Sequence, residues 1–518
     1  MTTPVNNSDY YTLPDGLSRI EFLKKLANDH KIVLDPPQKK KEEFFDTFDR
    51  RLYSSNLVLV KEDNSYHLKS LTDGRELQAF EDTKKLSPKF WWDFPKCSLR
   101  AELKPLSSIR ALLSLAKIER TVATLKVLNE DKKTVLFIFV KELVVISDQR
   151  RIKPCVVVQL KNVRGYEKEF KEFKSYIEEL GLKNSKDDII SAAVSNQGKY
   201  PLNYTSKINV KLKPDMKGHE AARLIFENLL GTMKVNEFGI KDDIDTEFLH
   251  DFRVAVRRTR SALSQVKSVF SPEDTDKYKE QFSVIGKATN ELRDLDVYLL
   301  TEDSYKKMLP EDLRGGLDPL FDKLTQDRKK ACTECAQFLN SKNYKEIISD
   351  WQEFLHNESS DANSAANSQR PIIEISKEHI WKKYSKIIKQ GRKINDATPD
   401  PELHSLRIEC KKLRYLLEFF TSLFPADDMK TIIKHLKVLQ DNLGDFNDLH
   451  VQQESLKKFL SSKDIGYDQS SSTVAAAGGL VSVLYQQQAV VRKKFKENFN
   501  EFSDKETTEL FEKLFSDN

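Results

Sequence analysis

The hydrophobic positions of this chain change period midway along it. Before residue 195 they come as short runs of β-branched and aromatic residues, Leu57-Val-Leu-Val-Lys61, Val135-Leu-Phe-Ile-Phe-Val140 and Cys155-Val-Val-Val-Gln-Leu160, which predict strands of an antiparallel sheet. From residue 215 onward they recur at helical spacing. Gly218 to Leu230 carries Ala222, Leu224, Ile225 and Leu229, Lys377 to Ile394 carries Ile380, Trp381, Ile387 and Ile388, and Leu480 to Phe515 reads as a last helix. The pattern predicts a multidomain α+β protein: a β domain over 1–195, a linker over 196–214 and an all-α domain over 215–518. The linker holds Asn196, Gly198, Pro201 and Asn203; the strand-like run Lys207-Ile-Asn-Val-Lys-Leu212 belongs to either side of it. Two polar stretches, 357–371 and Gln469 to Gly479, lack apolar periodicity and read as loops.

Within the helical region the same sequence unit occurs twice. His250-Asp-Phe-Arg-Val-Ala-Val-Arg-Arg-Thr-Arg260 is echoed 154 residues later by His404-Ser-Leu-Arg-Ile-Glu-Cys-Lys-Lys-Leu-Arg414, and 44 residues after each His comes Asp294 or Asp448. The equal spacing divides the domain into repeat one, 215–356, and repeat two, 372–518. At helical pitch His250, Arg253, Arg257 and Arg260 share a stripe about 80° wide, with Phe252, Val256, Ala262, Leu263 and Val266 on the opposite arc. His404, Arg407, Lys411 and Arg414 repeat that stripe opposite Leu406, Leu413, Leu417 and Phe420.

Like charges three and four residues apart repel, and only Asp251 and Glu409 lie close enough along these helices to relieve them. A single stripe of this kind is usually a solvated face; a duplicated one predicts an anionic ligand, and Arg's planar fork suits phosphate oxygens. The candidate binding residues are His250, Arg253, Arg257, Arg258 and Arg260 with His404, Arg407, Lys411, Lys412 and Arg414. Arg223, Lys287, Lys383 and Arg392 either extend the site or are surface residues. Asp294 and Asp448 would repel phosphate, so they are expected to orient a basic side chain or cap a helix.

The two stripes, together with Leu-Arg-Asp-Leu-Asp-Val and Leu-Gly-Asp-Phe-Asn-Asp, resemble the CHAD domain, the conserved histidine α-helical domain, from about residue 215 to the end of the chain. The resemblance implies two duplicated four-helix bundles related by a pseudo-two-fold, with both basic helices lining a central groove. It also implies binding, not cleavage, of inorganic polyphosphate, with polyphosphate granules as a place where such a protein would be found.

In the β domain, Phe45-Asp-Thr-Phe-Asp-Arg-Arg-Leu52, Asn56-Leu-Val-Leu59, His67-Leu-Lys69 and the closing helix Tyr166 to Leu182 resemble the CYTH or triphosphate-tunnel fold. That family holds metal and triphosphate with a Glu-x-Glu-x-Lys first strand, Arg residues after the Asp-Thr turn and paired Glu on a late strand. The corresponding positions here read Asp9-Tyr-Tyr-Thr-Leu13, Val60 and Glu62, and Val156-Val-Val-Gln-Leu160. Val and Gln cannot hold Mg²⁺ or Mn²⁺, so the resemblance implies a degenerate, tunnel-like domain with no metal site, no cofactor and no enzymatic activity. Lys69, Arg100 and Arg120 either keep a basic interior or serve structural and solvated roles.

At 518 residues and 39% hydrophobic the chain can bury two or three cores, and its net charge of +5 makes the cationic character local, which counts against nucleic acid as a partner. Five cysteines argue against a disulfide framework, and Cys332-Thr-Glu-Cys335 has no second pair for zinc. The first residues lack the basic and apolar regions of a leader, and there is no uninterrupted run of 18 apolar residues. The expectation is a cytoplasmic protein without a membrane partner, whose ligand is inorganic polyphosphate. The alternatives are a metal-dependent triphosphate hydrolase of the CYTH type, or a binder of nucleic acid or acidic protein.

Overall fold

The computed structural model describes residues 8–14, 16–71, 75–83, 86–147, 150–151, 155–184, 201, 204–357, 365–461 and 471–516. It divides into two units, Met1–Tyr204 and Thr205–Asn518, the division falling inside the segment read as a linker.

The first unit is an antiparallel sheet of eleven strands: β1 Ser8–Thr12, β2 Ile32–Leu34, β3 Gln38–Asp46, β4 Leu57–Glu62, β5 Ser65–Ser70, β6 Glu76–Glu81, β7 Leu113–Leu128, β8 Thr134–Ser147, β9 Arg150–Arg151, β10 Cys155–Asn162 and β11 Lys183–Asn184. They pair in the order β11-β1-β10-β8-β7-β3-β4-β5-β6, with β2 on β7 and β9 on β8. All three predicted apolar runs are strands at the middle of this order (β4, β8, β10). Among the described residues four α-helices accompany the sheet: α1 Arg19–Asp29, α2 Arg51–Ser54, α3 Ser98–Ser107 and α4 Glu167–Glu179. One core joins Leu125, Ile138, Val158 and Leu160 to Phe22 and Leu26 of α1 and Phe170, Phe173 and Ile177 of α4. A second joins Leu59 and Leu68 to Leu52, Leu99 and Leu103. The Asp-Thr turn is structural: buried Asp46 accepts the backbone N–H groups of Thr47, Leu52 and Tyr53 at 2.7, 2.9 and 2.9 Å, so it tethers α2 to the end of β3.

The second unit is helical, and its element starts repeat the sequence period. Helices α5 Gly218–Lys241, α6 Thr246–Gln265 and α7 Pro272–Ala288 correspond to α12 Ile372–Gly391, α13 Asp400–Phe420 and α14 Ala426–Ser461, each starting 154 residues later. Repeat one continues with α8 Asn290–Leu300, α9 Glu302–Met308, a 3-10 segment Glu311–Leu317, α10 Asp318–Asn340 and α11 Lys342–His356. Repeat two ends with α15 Ser471–Lys493, α16 Phe495–Phe502 and α17 Lys505–Phe515. Each repeat is thus a bundle of four arms, the fourth bent at Ser341 or Lys494 and, in repeat two, broken again at Ser503 and Asp504 before α17. The starts are locally encoded: Asp245 caps α6 through Glu247 N–H, and Ser271 caps α7 through Asp274 N–H with Pro272 behind it.

Three expectations need correction. Residues 471–479 are helix, not loop, because Ala476 and Ala477 are fully buried and the small residues admit close packing; a Cβ on Gly316 would meet Ser472 O at 2.4 Å. Residues 469–470 of that stretch, and 358–364 of the loop between repeats, lie outside the described residues. The run from Leu480 to Phe515 is three helices, with Asp504 capping the last through Thr507 N–H. Lys207–Leu212 is no strand: Leu212 is buried in the helical unit and its N–H donates to Ser422 Oγ at 3.0 Å. Within Ser471–Phe502 a stretch of 18 residues with mean hydropathy 1.2 is long and apolar enough to cross a membrane by length and composition alone; here Leu480 and Leu484 are buried in the bundle.

Candidate functional site

The basic helices α6 and α13 pack against each other, which sets the two polar stripes side by side. Beside them runs a groove of about 1140 Å³. Repeat one lines it with His250, Arg253, Arg257 and Arg260 of α6 and with Lys287, Arg293 and Asp294 of α7 and α8. Repeat two contributes Arg407 and Lys411 of α13 and Asp448, Glu454 and Lys458 of α14.

Arg253 is fixed by a local break. Between α7 and α8 the ladder is interrupted at Thr289, which leaves the Gly286 carbonyl without its helical partner. Arg253 takes that carbonyl at 2.8 Å and Thr289 Oγ1 at 2.7 Å, and its other Nη donates to Asn290 Oδ1 at 2.7 Å. Asn290 in turn donates to Asp294 at 3.0 Å, so Asp294 orients Arg253 through one intermediary. Burial, with Arg257 alongside, brings the Arg253 guanidinium down to about 10. Arg257 and Arg260 are exposed, and their guanidinium groups make no hydrogen bond or ion pair among the described residues.

In repeat two, Asp448 accepts directly from Arg407 at 3.3 Å. Burial lowers the Lys411 ammonium to about 8, helped by Arg407 and Arg257. Such crowding of cations at a partly desolvated surface raises the gain from an anion that would neutralise them.

Other predicted residues are drawn elsewhere. Arg258 donates to Glu418 at 2.6 Å and to Ser206 O at 2.7 Å, and Arg414 donates to the same Glu418 at 2.8 Å; one carboxylate therefore joins the basic helices of both repeats. Lys412 and Lys383 converge on buried Glu409 at 3.0 and 2.7 Å, joined by Lys386 at 3.3 Å. Burial would raise Glu409, but hydrogen bonds from Lys383 and Lys412 outweigh it and hold the carboxyl at about 2. His404 bonds Asn447 at 2.6 Å and does not line the groove. Arg223 donates to Asn357 O at 2.6 Å, while Arg392 lines a separate shallow pocket with Trp381 and Tyr384. Only Lys287 of the four secondary candidates reaches the groove.

Two groove cations escaped the sequence reading. Arg293 stands immediately before Asp294, and its Nη1 is buried without a hydrogen-bond partner. Lys458 falls on the face of α14 defined by Asp448, Val451 and Ser455, where helical spacing from Asp448 points.

The first unit gathers charge of its own. Glu42 and Glu62 stand opposite each other on β3 and β4. Neither is free: Arg120 pairs with Glu42, while Lys69 and, at 3.1 Å, Lys40 pair with Glu62. Burial raises Glu42, whereas hydrogen bonds from Lys69 and Lys40 overcome burial at Glu62 and hold it at about 2. Glu42, hidden in a Lys-rich run, was not anticipated; among the described residues no cluster of His, Cys, Asp and Glu is placed to hold a metal. Arg100 does not join this group, since it lies over the Trp91 ring.

A duplicated four-arm bundle with two basic helices side by side and a cation-lined groove defines the class. Residues 224–457, within the helical unit, match the CHAD domain. No curated protein matches the chain. Among solved structures it is similar to the CHAD domain from the plant Ricinus communis (23% identity, 58% of this chain and 96% of that one, TM-score 0.49). It is also similar to PptA from Streptomyces chartreusis (15% identity, 55% and 99%, TM-score 0.40). A third is HpAC1 from Hippeastrum, which has a dominant triphosphatase activity (14% identity, 37% and 95%, TM-score 0.26).

Proposed function

We propose that the helical unit binds inorganic polyphosphate in the groove beside α6 and α13. The observation that carries this reading is the lining: Arg253, Arg257, Arg260, Lys287 and Arg293 from repeat one with Arg407, Lys411 and Lys458 from repeat two. A chain with about one negative charge per phosphate needs a row of rigidly held donors and no base or sugar pocket. Arg257 and Arg260 are the direct contacts, Arg253 and Arg407 are held in place by their own hydrogen bonds, and Asp294 and Asp448 are the orienting groups. The first unit is a non-catalytic companion, because Glu42 and Glu62 are already neutralised by Arg120, Lys69 and Lys40. The protein works in the cytoplasm, where polyphosphate granules are its place of action.

The test is a titration of the whole protein with long-chain polyphosphate, tripolyphosphate and single-stranded DNA at several salt concentrations. Long-chain polyphosphate should bind tightest, and log affinity should fall with log salt with a slope of about 0.7 or more per phosphate contact. A flat salt profile, or equal preference for DNA, rejects the reading. Phosphate release from tripolyphosphate in Mg²⁺ or Mn²⁺ above a protein-free control would instead return the first unit to the hydrolases.

A further inference from the structure

An aromatic turn in the first unit is not among the residues that line the groove. Phe90 precedes a 3-10 turn, Trp91–Asp93, that leads into α3. Phe90 and Trp92 stack with ring centroids 4.4 Å apart, and Trp92 keeps 40% of its surface exposed. Trp91 is pinned by its Nε1–H, which donates to Ser108 O at 2.7 Å, while Arg100 and Lys104 sit over its ring at 5.3 and 5.2 Å. Asp93 is occupied within the turn, accepting the backbone N–H groups of Lys89 and Phe90 at 2.9 and 2.8 Å. Lys96, Arg100 and Lys104 have no carboxylate partner among the described residues, and Glu102 is the one acid on α3.

We propose that this turn and the start of α3 form a peripheral docking surface for anionic phospholipid membranes. Indole rings favour the headgroup region, where the ring meets acyl chain and the N–H meets water or ester oxygen, and the Trp92 N–H is uncommitted among the described residues. The cations around it supply the second attraction that a single shallow aromatic needs to hold a bilayer. Single-stranded nucleic acid fits less well: Phe90 already covers one face of Trp92, and two cations cover Trp91, so few faces remain for bases. This contact is peripheral and revises the expectation that the protein has no membrane partner.

The experiment is vesicle co-sedimentation of the full chain with phosphatidylcholine vesicles containing or lacking phosphatidylserine, read alongside Trp emission. Binding should require phosphatidylserine, weaken with salt and shift Trp emission to the blue. Trp92→Ala should abolish the blue shift, and Lys96→Glu and Lys104→Glu should each lower partitioning by about tenfold or more, given about fivefold per cation near an anionic surface. The same variants should bind polyphosphate as the parent does, and Arg257→Ala/Arg260→Ala should still bind vesicles. Loss of vesicle binding in that groove variant instead, equal binding to neutral vesicles, or retention by Trp92→Ala overturns the proposal. So does a Trp92-dependent shift of single-stranded RNA without vesicle binding, which would make the turn a nucleic-acid site.

Discussion

Repeat two carries Glu409 and Glu418 at the positions where repeat one carries Ala255 and Ser264. Those two substitutions separate the fates of otherwise matching stripes. Glu409 collects Lys383, Lys386 and Lys412, and Glu418 collects Arg414 together with Arg258 from the other repeat. Repeat one, without acids at those two positions, leaves Arg257 and Arg260 exposed to the groove and supplies five lining cations against three. Duplication preserved the positions of the helices and let their charges divide into a half that faces the groove and a half that fastens the bundles together.

The largest effect expected from breaking this arrangement is on stability. Arg258 and Glu418 keep only 11% and 17% of their side-chain surface, so Glu418→Ala strands a guanidinium between the repeats. Removing one partner of such a pair should cost about 3 kcal/mol, read as a lower urea midpoint at unchanged slope. Loss below about 1 kcal/mol would show that solvent reaches Arg258 and that the clamp is a surface pair.

The next effect concerns the groove itself. Arg257→Ala/Arg260→Ala should weaken long-chain polyphosphate binding by about a hundredfold, at roughly 1–3 kcal/mol per charged hydrogen bond, with helicity unchanged because both residues are exposed. Arg407→Ala/Lys411→Ala should weaken it by about tenfold, since Arg407 is shared with Asp448 and Lys411 is partly buried. Equal losses would erase the division of labour; a larger loss from the second pair would invert it.

Much of this was readable in the sequence, for identifiable reasons. Helix positions followed from apolar periodicity, and the 154-residue period carried over to the helix starts. Of the stripe residues that reach the groove, Arg253, Arg257, Arg260, Arg407 and Lys411 have no carboxylate one helical turn away, whereas His250 reaches it with Glu247 three residues before it. Lys412 and Arg414 are drawn to acids on their own helix, Glu409 three residues before and Glu418 four residues after, the second beyond the two acids the sequence reading weighed; the reach of Glu418 to Arg258 is tertiary, and helical angle alone does not give it. Arg293 and Lys458 were missed because they sit on the third arm, whose face toward α6 and α13 is set by packing across repeats. In the first unit the strands were legible as apolar runs, whereas Glu42 was masked by the lysines around it and acquired its meaning from Arg120, 78 residues away.

The smallest expected effect sharpens the comparison through pH. Lys411 loses its proton at about 8 because burial and the adjacent Arg407 and Arg257 disfavour its charged form. A bound polyanion favours that charged form, so binding should draw in a proton, and affinity should decline as pH rises from about 7 to 9; a pKa raised by one unit on binding corresponds to about tenfold at most. Arg253, held at about 10, stays charged across that window. The decline therefore belongs to repeat two alone. Lys411→Arg, which keeps a cation that does not titrate in this range, should flatten the profile while leaving affinity at pH 7 within a few-fold of the parent. Isothermal titration in two buffers of different ionisation enthalpy measures the proton uptake directly; uptake that persists in Lys411→Arg would move the titrating group elsewhere in the groove and remove the pH signature from repeat two.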